Sequence, residues 1–150
     1  MESVRRGTRL PAISEPFTAE EAARVAEFRS ALRRFLRISE RNARAAGLTP
    51  QRYLLLLMIK GAADHSEQST VTELADRLQL AQSTVTELVR RAEEIGLVER
   101  ERSSVDGRIA HLRLTPEGER RLADTFTSNA GERQTLLDAF DSIRGRVTAG

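Results

Sequence analysis

The sequence predicts a mainly α fold carrying one small β-hairpin, and three observations predict it. Helix start signals, a threonine followed by glutamate three residues on or by proline at once, recur at Thr18, Thr49, Thr70 and Thr115. Between them apolar residues repeat at intervals of three and four. Only after Gly96 does the period fall to two, on either side of the turn dipeptide Asp106-Gly107. The 150 residues suit about one domain, and 31% charged residues leave much surface to wet.

Taken in order, residues 1–17 contain Gly7, Pro11 and Pro16 with little periodicity and read as a flexible arm. Thr18 and Glu21 form a T-x-x-E capping box for a helix that runs to Gly47, with Ala22, Val25, Ala26, Phe28, Leu32, Phe35, Leu36 and Ser39 largely on one face. Thr49 caps a second helix with Pro50 at its first position. That helix, QRYLLLLMIK, is apolar on most sides and belongs at the centre of the core. Residues 61–69, GAADHSEQS, read as a polar loop.

The pentapeptide TVTEL then occurs twice, at Thr70 to Leu74 and at Thr84 to Leu88. In the first copy Thr70 caps a short helix and Glu73 reaches back as a second capping box, with Leu74, Ala75 and Leu78 on the buried side. The second copy is ambiguous. Fourteen residues turn a helix through about 1400°, roughly 40° short of four circles, so one helix over 71–95 would put both copies on one face. Val71, Leu74, Leu78, Ala81, Val85, Leu88, Ala92 and Ile95 keep the spacing that such a rod needs. Against it stand Leu80, out of phase with Leu78, and the cluster Gln82 to Thr86, whose hydroxyls favour a helix's first turn. These favour two short helices joined near Leu78 to Ala81.

Leu97 to Ser103 and Ile109 to Thr115 read as two strands around SVDGR, with Gly107 accepting the positive φ of a tight hairpin turn. Helix, turn, helix and hairpin is the order of a winged helix-turn-helix. Thr115 caps the next helix, with Pro116 at its first position and Leu122, Ala123 and Phe126 as apolar contacts. Asn129 to Gly131 interrupts it. The last helix runs from about Glu132 and carries Leu136, Leu137, Phe140, Ile143 and Val147. The apolar stripes of the first and last helices need partners that a winged helix alone does not provide.

Composition removes several classes of function. With no cysteine there is no disulfide, thiol switch, thiolate nucleophile or cysteine-bound zinc, and two histidines do not build a metal site alone. His65 sits in a polar loop and His111 alternates along a strand. No glycine-rich phosphate loop or paired-carboxylate motif is present, so neither an enzyme nor a cofactor is expected. The longest apolar run, Leu54 to Ile59, is far below the roughly 18 residues of a membrane span, and the first residues lack the apolar stretch of a signal peptide. A cytoplasmic protein without a membrane partner is the expectation. The net charge of +2 is uneven: residues 1–60 hold 12 basic and 6 acidic groups, residues 61–115 hold 7 and 10. Lys60 is the one lysine; the other 23 basic residues are arginines. Arginine suits phosphate and guanine, and it also follows from the codon bias of a GC-rich genome.

From Thr70 to Gly118 the letters TVTELADRLQLAQSTVTELVRRAEEIGLVERERSSVDGRIAHLRLTPEG resemble the MarR family of winged helix-turn-helix transcriptional regulators. The most specific match is the wing signature D-x-R-x5-L-T at Asp106, Arg108, Leu114 and Thr115, followed by Pro116 to Gly118. The resemblance implies a helix break near Leu80, a homodimer, and a double-stranded palindromic operator. It makes 48–115 the DNA-binding region and 18–47 with 116–150 the dimerisation helices. The helix carrying the second TVTEL becomes the recognition helix. Its core side is Val85, Leu88, Val89, Ala92 and Ile95, which leaves Gln82, Ser83, Thr84, Thr86, Glu87 and Arg90 to face DNA. Arg102 and Arg108 of the wing join them, with Arg108 entering the minor groove and Asp106 stabilising the wing by holding its arginines.

Each of these residues has a plainer reading: a hydroxyl-rich helix start is commonly a cap, Asp106 a turn former and Arg108 a solvated loop charge. Two departures from the family pattern stand out. Glu87 occupies a position where relatives often carry arginine, and Ala81 one often held by a capping serine. Glu87 repels phosphate, so it accepts from a cytosine amino group or faces a neighbouring arginine. The family also implies a repressor released by a small aromatic or lipophilic effector. Arg41, Arg44, Arg52 and Tyr53 lie near where such a pocket would form, although solvated or core roles suit each of them. A dimeric protein-interaction module that has lost DNA binding is the alternative, supported by Glu87 and the acidic middle of the chain.

Overall fold

The computed structural model describes residues 17–144, so the expected arm lies outside the described residues apart from Phe17, as does Val147. The elements are α1 (Ala19–Ala45), α2 (Pro50–Lys60), α3 (Val71–Leu78), α4 (Gln82–Glu94), β1 (Val98–Arg102), β2 (Ala110–Leu114), α5 (Pro116–Ser128) and α6 (Ala130–Arg144). This is a mainly helical fold with one antiparallel hairpin, as the sequence predicts.

The helix starts are made by the residues that signal them. Thr18 Oγ1 accepts the Glu21 N–H at 3.2 Å while Glu21 Oε2 accepts the Thr18 N–H at 3.0 Å. Thr49, Thr70 and Thr115 accept from Arg52, Glu73 and Gly118 in the same way. The box expected at Thr70 is only half formed, because the Glu73 carboxylate does not return to the Thr70 N–H. Gly47 closes α1 at φ 78°, a conformation that glycine adopts without steric cost.

The rod that periodicity allows over 71–95 does not form. Gln79 turns left-handed at φ 56°, and its N–H and that of Leu80 return to Asp76 and Ala75, satisfying the last carbonyls of α3. The out-of-phase Leu80 thereby packs against the core instead of pointing outward. Ala81, the residue just before α4, gives that helix no side-chain cap.

Helix α2 is central, packing against α1, α3, α4, α5 and β2. Its Leu55, Leu56 and Ile59 are fully buried and meet Leu74 of α3, Val85 and Val89 of α4, Leu97, and Leu112 of β2 in one cluster. Burial on this scale is the main stabilising term, of order 1.5–3 kcal/mol for each such side chain. Gly118 lies against the Leu97 carbonyl, where a Cβ would come within 2.2 Å of the oxygen. The P-E-G glycine is therefore required by close approach of α5 to the wing's base.

The hairpin pairs Val98 with Leu114 through Arg102 with Ala110. Its turn is longer than the sequence predicts. Residues 103–109 form the loop, Ser103 N–H donates to the Ile109 carbonyl at 2.9 Å, and Gly107 is not at positive φ. Seven residues relieve the constraint that a two-residue turn would impose on glycine. Ser69, read as loop, forms an isolated antiparallel bridge to β2: it exchanges two backbone hydrogen bonds with Leu112 and is buried.

Helices α1 and α6 pack together, with Phe28 and Phe140 ring centroids 6.0 Å apart and Arg34 paired with Glu132 at 3.4 Å. The break after α5 falls at Asn129, and α6 begins at Ala130 rather than Glu132. Asn129 is buried and satisfied. It donates to Ser39 Oγ at 3.1 Å and to the Tyr53 hydroxyl at 3.5 Å, and it accepts from Asn42 Nδ2 at 2.8 Å. One side chain thus ties α1, α2 and the α5–α6 junction together. Ala123 and Phe126, expected as apolar contacts, are exposed, as are Val25, Leu36 and Leu137; within α5 the expected Leu122 is buried, together with Gly118 and Thr125.

Candidate nucleic-acid interface

The outer face of α4 carries Gln82, Ser83, Thr84, Thr86, Glu87 and Arg90, all exposed, while Val85, Val89 and Ala92 are buried beneath them. Ile95, expected on the core side, is 45% exposed, because the helix ends at Glu94 and Leu97 takes the interior position. A shallow depression of about 370 Å³ is lined by Gln51, Ser83, Thr84, Glu87, Leu88 and Arg91.

The polar groups of this face differ in how far they are already engaged. Gln82 Nε2 reaches Thr72 Oγ1 of α3 at 3.4 Å, and Thr86 Oγ1 donates to the Gln82 carbonyl at 2.8 Å. The Ser83 and Thr84 side chains make no hydrogen bond among the described residues. Glu87 is the most heavily engaged: Oε2 accepts from Arg90 Nε at 2.9 Å, and Oε1 accepts from Arg90 Nη2 at 2.6 Å and from Arg91 Nε at 3.1 Å. Hydrogen bonds from Arg90 and then Arg91 hold its carboxyl down at about 2. Arg90 Nη1 also donates to Glu94, and Arg100 of β1 pairs with Glu93 at 2.6 Å. Arg90, Arg91 and Arg100 are thus matched by Glu87, Glu93 and Glu94, and this surface has almost no net charge.

The wing is built differently. Arg100 and Arg113 are paired with Glu93 and Glu101, whereas Arg102 and Arg108 are exposed and take part in no ion pair among the described residues. Asp106 does not hold a guanidinium. Its Oδ1 accepts the Arg108 backbone N–H at 3.0 Å, so it shapes the turn and fixes the main chain of Arg108, leaving the side chain free. Ser103 Oγ supports the same loop by accepting from the Val105 N–H at 3.2 Å.

Sequence reasoning missed Arg91, Thr72 and Gln51. Arg91 was legible, since it lies four residues after Glu87 on one helix face. Thr72 and Gln51 join the surface only through the α3–α4 turn and the packing of α2. A separate apolar cavity of about 300 Å³ lies between α2 and α5, lined by Leu57, Lys60, Glu119, Leu122 and Phe126 among others. None of Arg41, Arg44, Arg52 and Tyr53 lines it, and Tyr53 is buried against Asn129.

Comparison with known proteins agrees with this architecture. Residues 46–109 match the family model described as MarR family. An uncharacterised HTH-type transcriptional regulator, YsmB of Bacillus subtilis, is 30% identical over 130 residues, covering 84% of each chain. Among solved structures, AbsC, a MarR family transcriptional regulator from Streptomyces coelicolor, superposes with a TM-score of 0.65 at 17% identity, over 91% of this chain and 97% of its own. A point mutant of S. aureus MepR bound to an oligodeoxyribonucleotide superposes with a TM-score of 0.61 at 19% identity, over 89% of this chain and 96% of its own. With an exposed polar α4 face beside an arginine-tipped hairpin, and with these relatives, the chain belongs to the MarR family of DNA-binding transcriptional regulators and is not an enzyme.

Proposed function

We propose that the protein is a repressor that binds a palindromic operator as a homodimer and is released by a small aromatic or lipophilic effector. In this reading Gln82, Ser83, Thr84, Thr86, Glu87 and Arg90 face the major groove, and Arg102 and Arg108 of the wing reach the adjacent minor groove or backbone. The observation that carries it is the pair of free wing guanidiniums beside an exposed helix whose own arginines are neutralised. Unpaired arginines release counterions from DNA at no cost in broken ion pairs.

Dimerisation is supported by the apolar side chains left open on the α1–α6 pair, including Val25, Leu36, Leu137 and Phe140. A twofold assembly spaces two recognition helices about one DNA turn, roughly 34 Å, apart. An effector is supported by the apolar cavity between α2 and α5, which is of a volume that small aromatic ligands occupy.

The test is a gel shift on the DNA upstream of the protein's own gene, with salt titration. Arg108→Ala is expected to weaken binding to operator and random DNA alike and to lower the slope of log K against log salt by about 1. An unchanged slope removes Arg108 from the interface. The neutral α4 surface favours a second reading, a dimeric protein-interaction module, and the absence of any retarded band at low salt would select it.

A further inference from the structure

The acidic residue in the middle of the α4 face is held in a definite orientation, and its remaining hydrogen-bonding capacity is narrow. An ionised carboxylate offers about four acceptor sites on two oxygens. In Glu87, Oε1 receives two guanidinium donors and Oε2 receives one, so one acceptor site remains, on Oε2. The side chain lines the same depression as Ser83 and Thr84, one turn earlier on the helix, and their hydroxyls are uncommitted. The donors of Arg90 are correspondingly reduced: its Nε and Nη2 edge is occupied by Glu87 and its Nη1 by Glu94. Three of its five N–H donors are therefore engaged, and its Nε–Nη2 edge, one of those with which a guanidinium grips guanine O6 and N7, is taken.

A fixed anionic acceptor discriminates sharply among the groups that DNA presents. Phosphates, guanine O6 and N7, and thymine O4 are all acceptors and repel it. Adenine offers its N6 amino group, but the N7 acceptor sits beside it. Cytosine offers the N4 amino group with a C5–H alongside and no acceptor in the major groove. We infer that Glu87 is a specificity-determining residue that selects a cytosine in each half-site through its N4 amino group, and that Arg90 and Arg91 act as positioning residues for its carboxylate rather than as readers of guanine.

This rests on the DNA-binding reading above, and the experiment separates the two. The full chain, its Glu87→Gln variant and its Arg90→Lys variant are each used to select bound duplexes from a library of randomised DNA, and the folding of each is checked by thermal melting. The unaltered protein is expected to enrich a palindrome with one cytosine per half-site favoured roughly 10- to 100-fold over the other bases there. Glu87→Gln should replace that cytosine by adenine, the base that glutamine pairs with, and leave the other positions unchanged. Arg90→Lys keeps the charge and loses the fork, so it should blunt the preference at that one position without erasing a guanine elsewhere. The inference is overturned if Glu87→Gln selects the same motif as the unaltered protein. It is equally overturned if that variant binds all sequences more tightly with no change of preference, for then Glu87 merely masks Arg90. Failure of the unaltered protein to enrich any motif would remove sequence-specific DNA binding itself, and this inference with it.

Discussion

The two TVTEL segments hold the same five residues and are used in different ways. In the first, Thr70 is the cap of α3, its hydroxyl accepting the Glu73 N–H at 3.2 Å, and Leu74 is fully buried. In the second, Thr84 stands two residues inside α4 with an unused hydroxyl, Val85 is the fully buried residue, and Leu88 is only partly covered. Glu73 makes no ion pair among the described residues, while Glu87 binds two arginines. The difference lies in where each copy falls relative to its helix start. A threonine at the cap satisfies an orphan N–H; the same threonine on an exposed turn is free for another molecule.

Three experiments would break or sharpen that contrast. The largest effect is expected at the fifth letter. Leu74→Ala should cost about 2–5 kcal/mol in chemical denaturation, as a fully buried leucine does, and Leu88→Ala should cost clearly less. Equal losses would mean that the two copies share one packing role.

Next come the leading threonines. Thr70→Ala is expected to lower stability by about 1 kcal/mol and leave the affinity of the folded protein for operator DNA unaltered. Thr84→Ala should change stability by less than about 0.5 kcal/mol and weaken operator binding, measured by titration of labelled duplex. Reversal of that pattern would exchange the roles assigned to the two segments.

The smallest effect concerns the glutamates. The folded-state carboxyl of Glu87 lies at about 2, below the ordinary value of 4.5, so its ion pairs stabilise the fold above about pH 4.5 and that contribution is lost as pH falls toward 2. Glu117, held by Arg120 and Arg121 on α5, behaves alike. Denaturation curves collected from pH 5 to 2.5 should show stability falling with acid, with a slightly flatter slope for Glu87→Gln. The pairs are exposed, so added salt should shrink the difference.

Much of the fold was legible because caps and apolar spacing act locally. All four threonine caps sit where hydroxyl chemistry puts them, and the strand period correctly marked the hairpin. What was illegible depended on contacts between distant segments. Ser69 reads as loop because its ladder partner, Leu112, lies 43 positions away. Asn129 reads as a helix breaker, yet it is a buried junction satisfied by Ser39, Asn42 and Tyr53. Gly107 reads as the residue of a tight turn, whereas the loop's true length is set by the closure between Ser103 and Ile109. On the candidate interface, exposure of the α4 residues followed from helical phase alone. The state of each side chain did not.

By itself the sequence determined the order of the elements, their caps, the central place of α2, the core side of α3, that of α4 apart from Ile95, and the wing signature, since each depends on residues within a turn or two of one another. Tertiary structure alone decided that Gly118 must admit the Leu97 carbonyl and that Thr72 and Gln51 meet the α4 surface. It also decided which arginines are free, with Arg100 finding Glu93 across an element boundary while Arg102 and Arg108 find no acidic partner among the described residues. The physical reason is range: hydrogen-bonded caps and helical phase are fixed by covalent neighbours, whereas close approach and charge pairing depend on which surfaces the folded chain brings together.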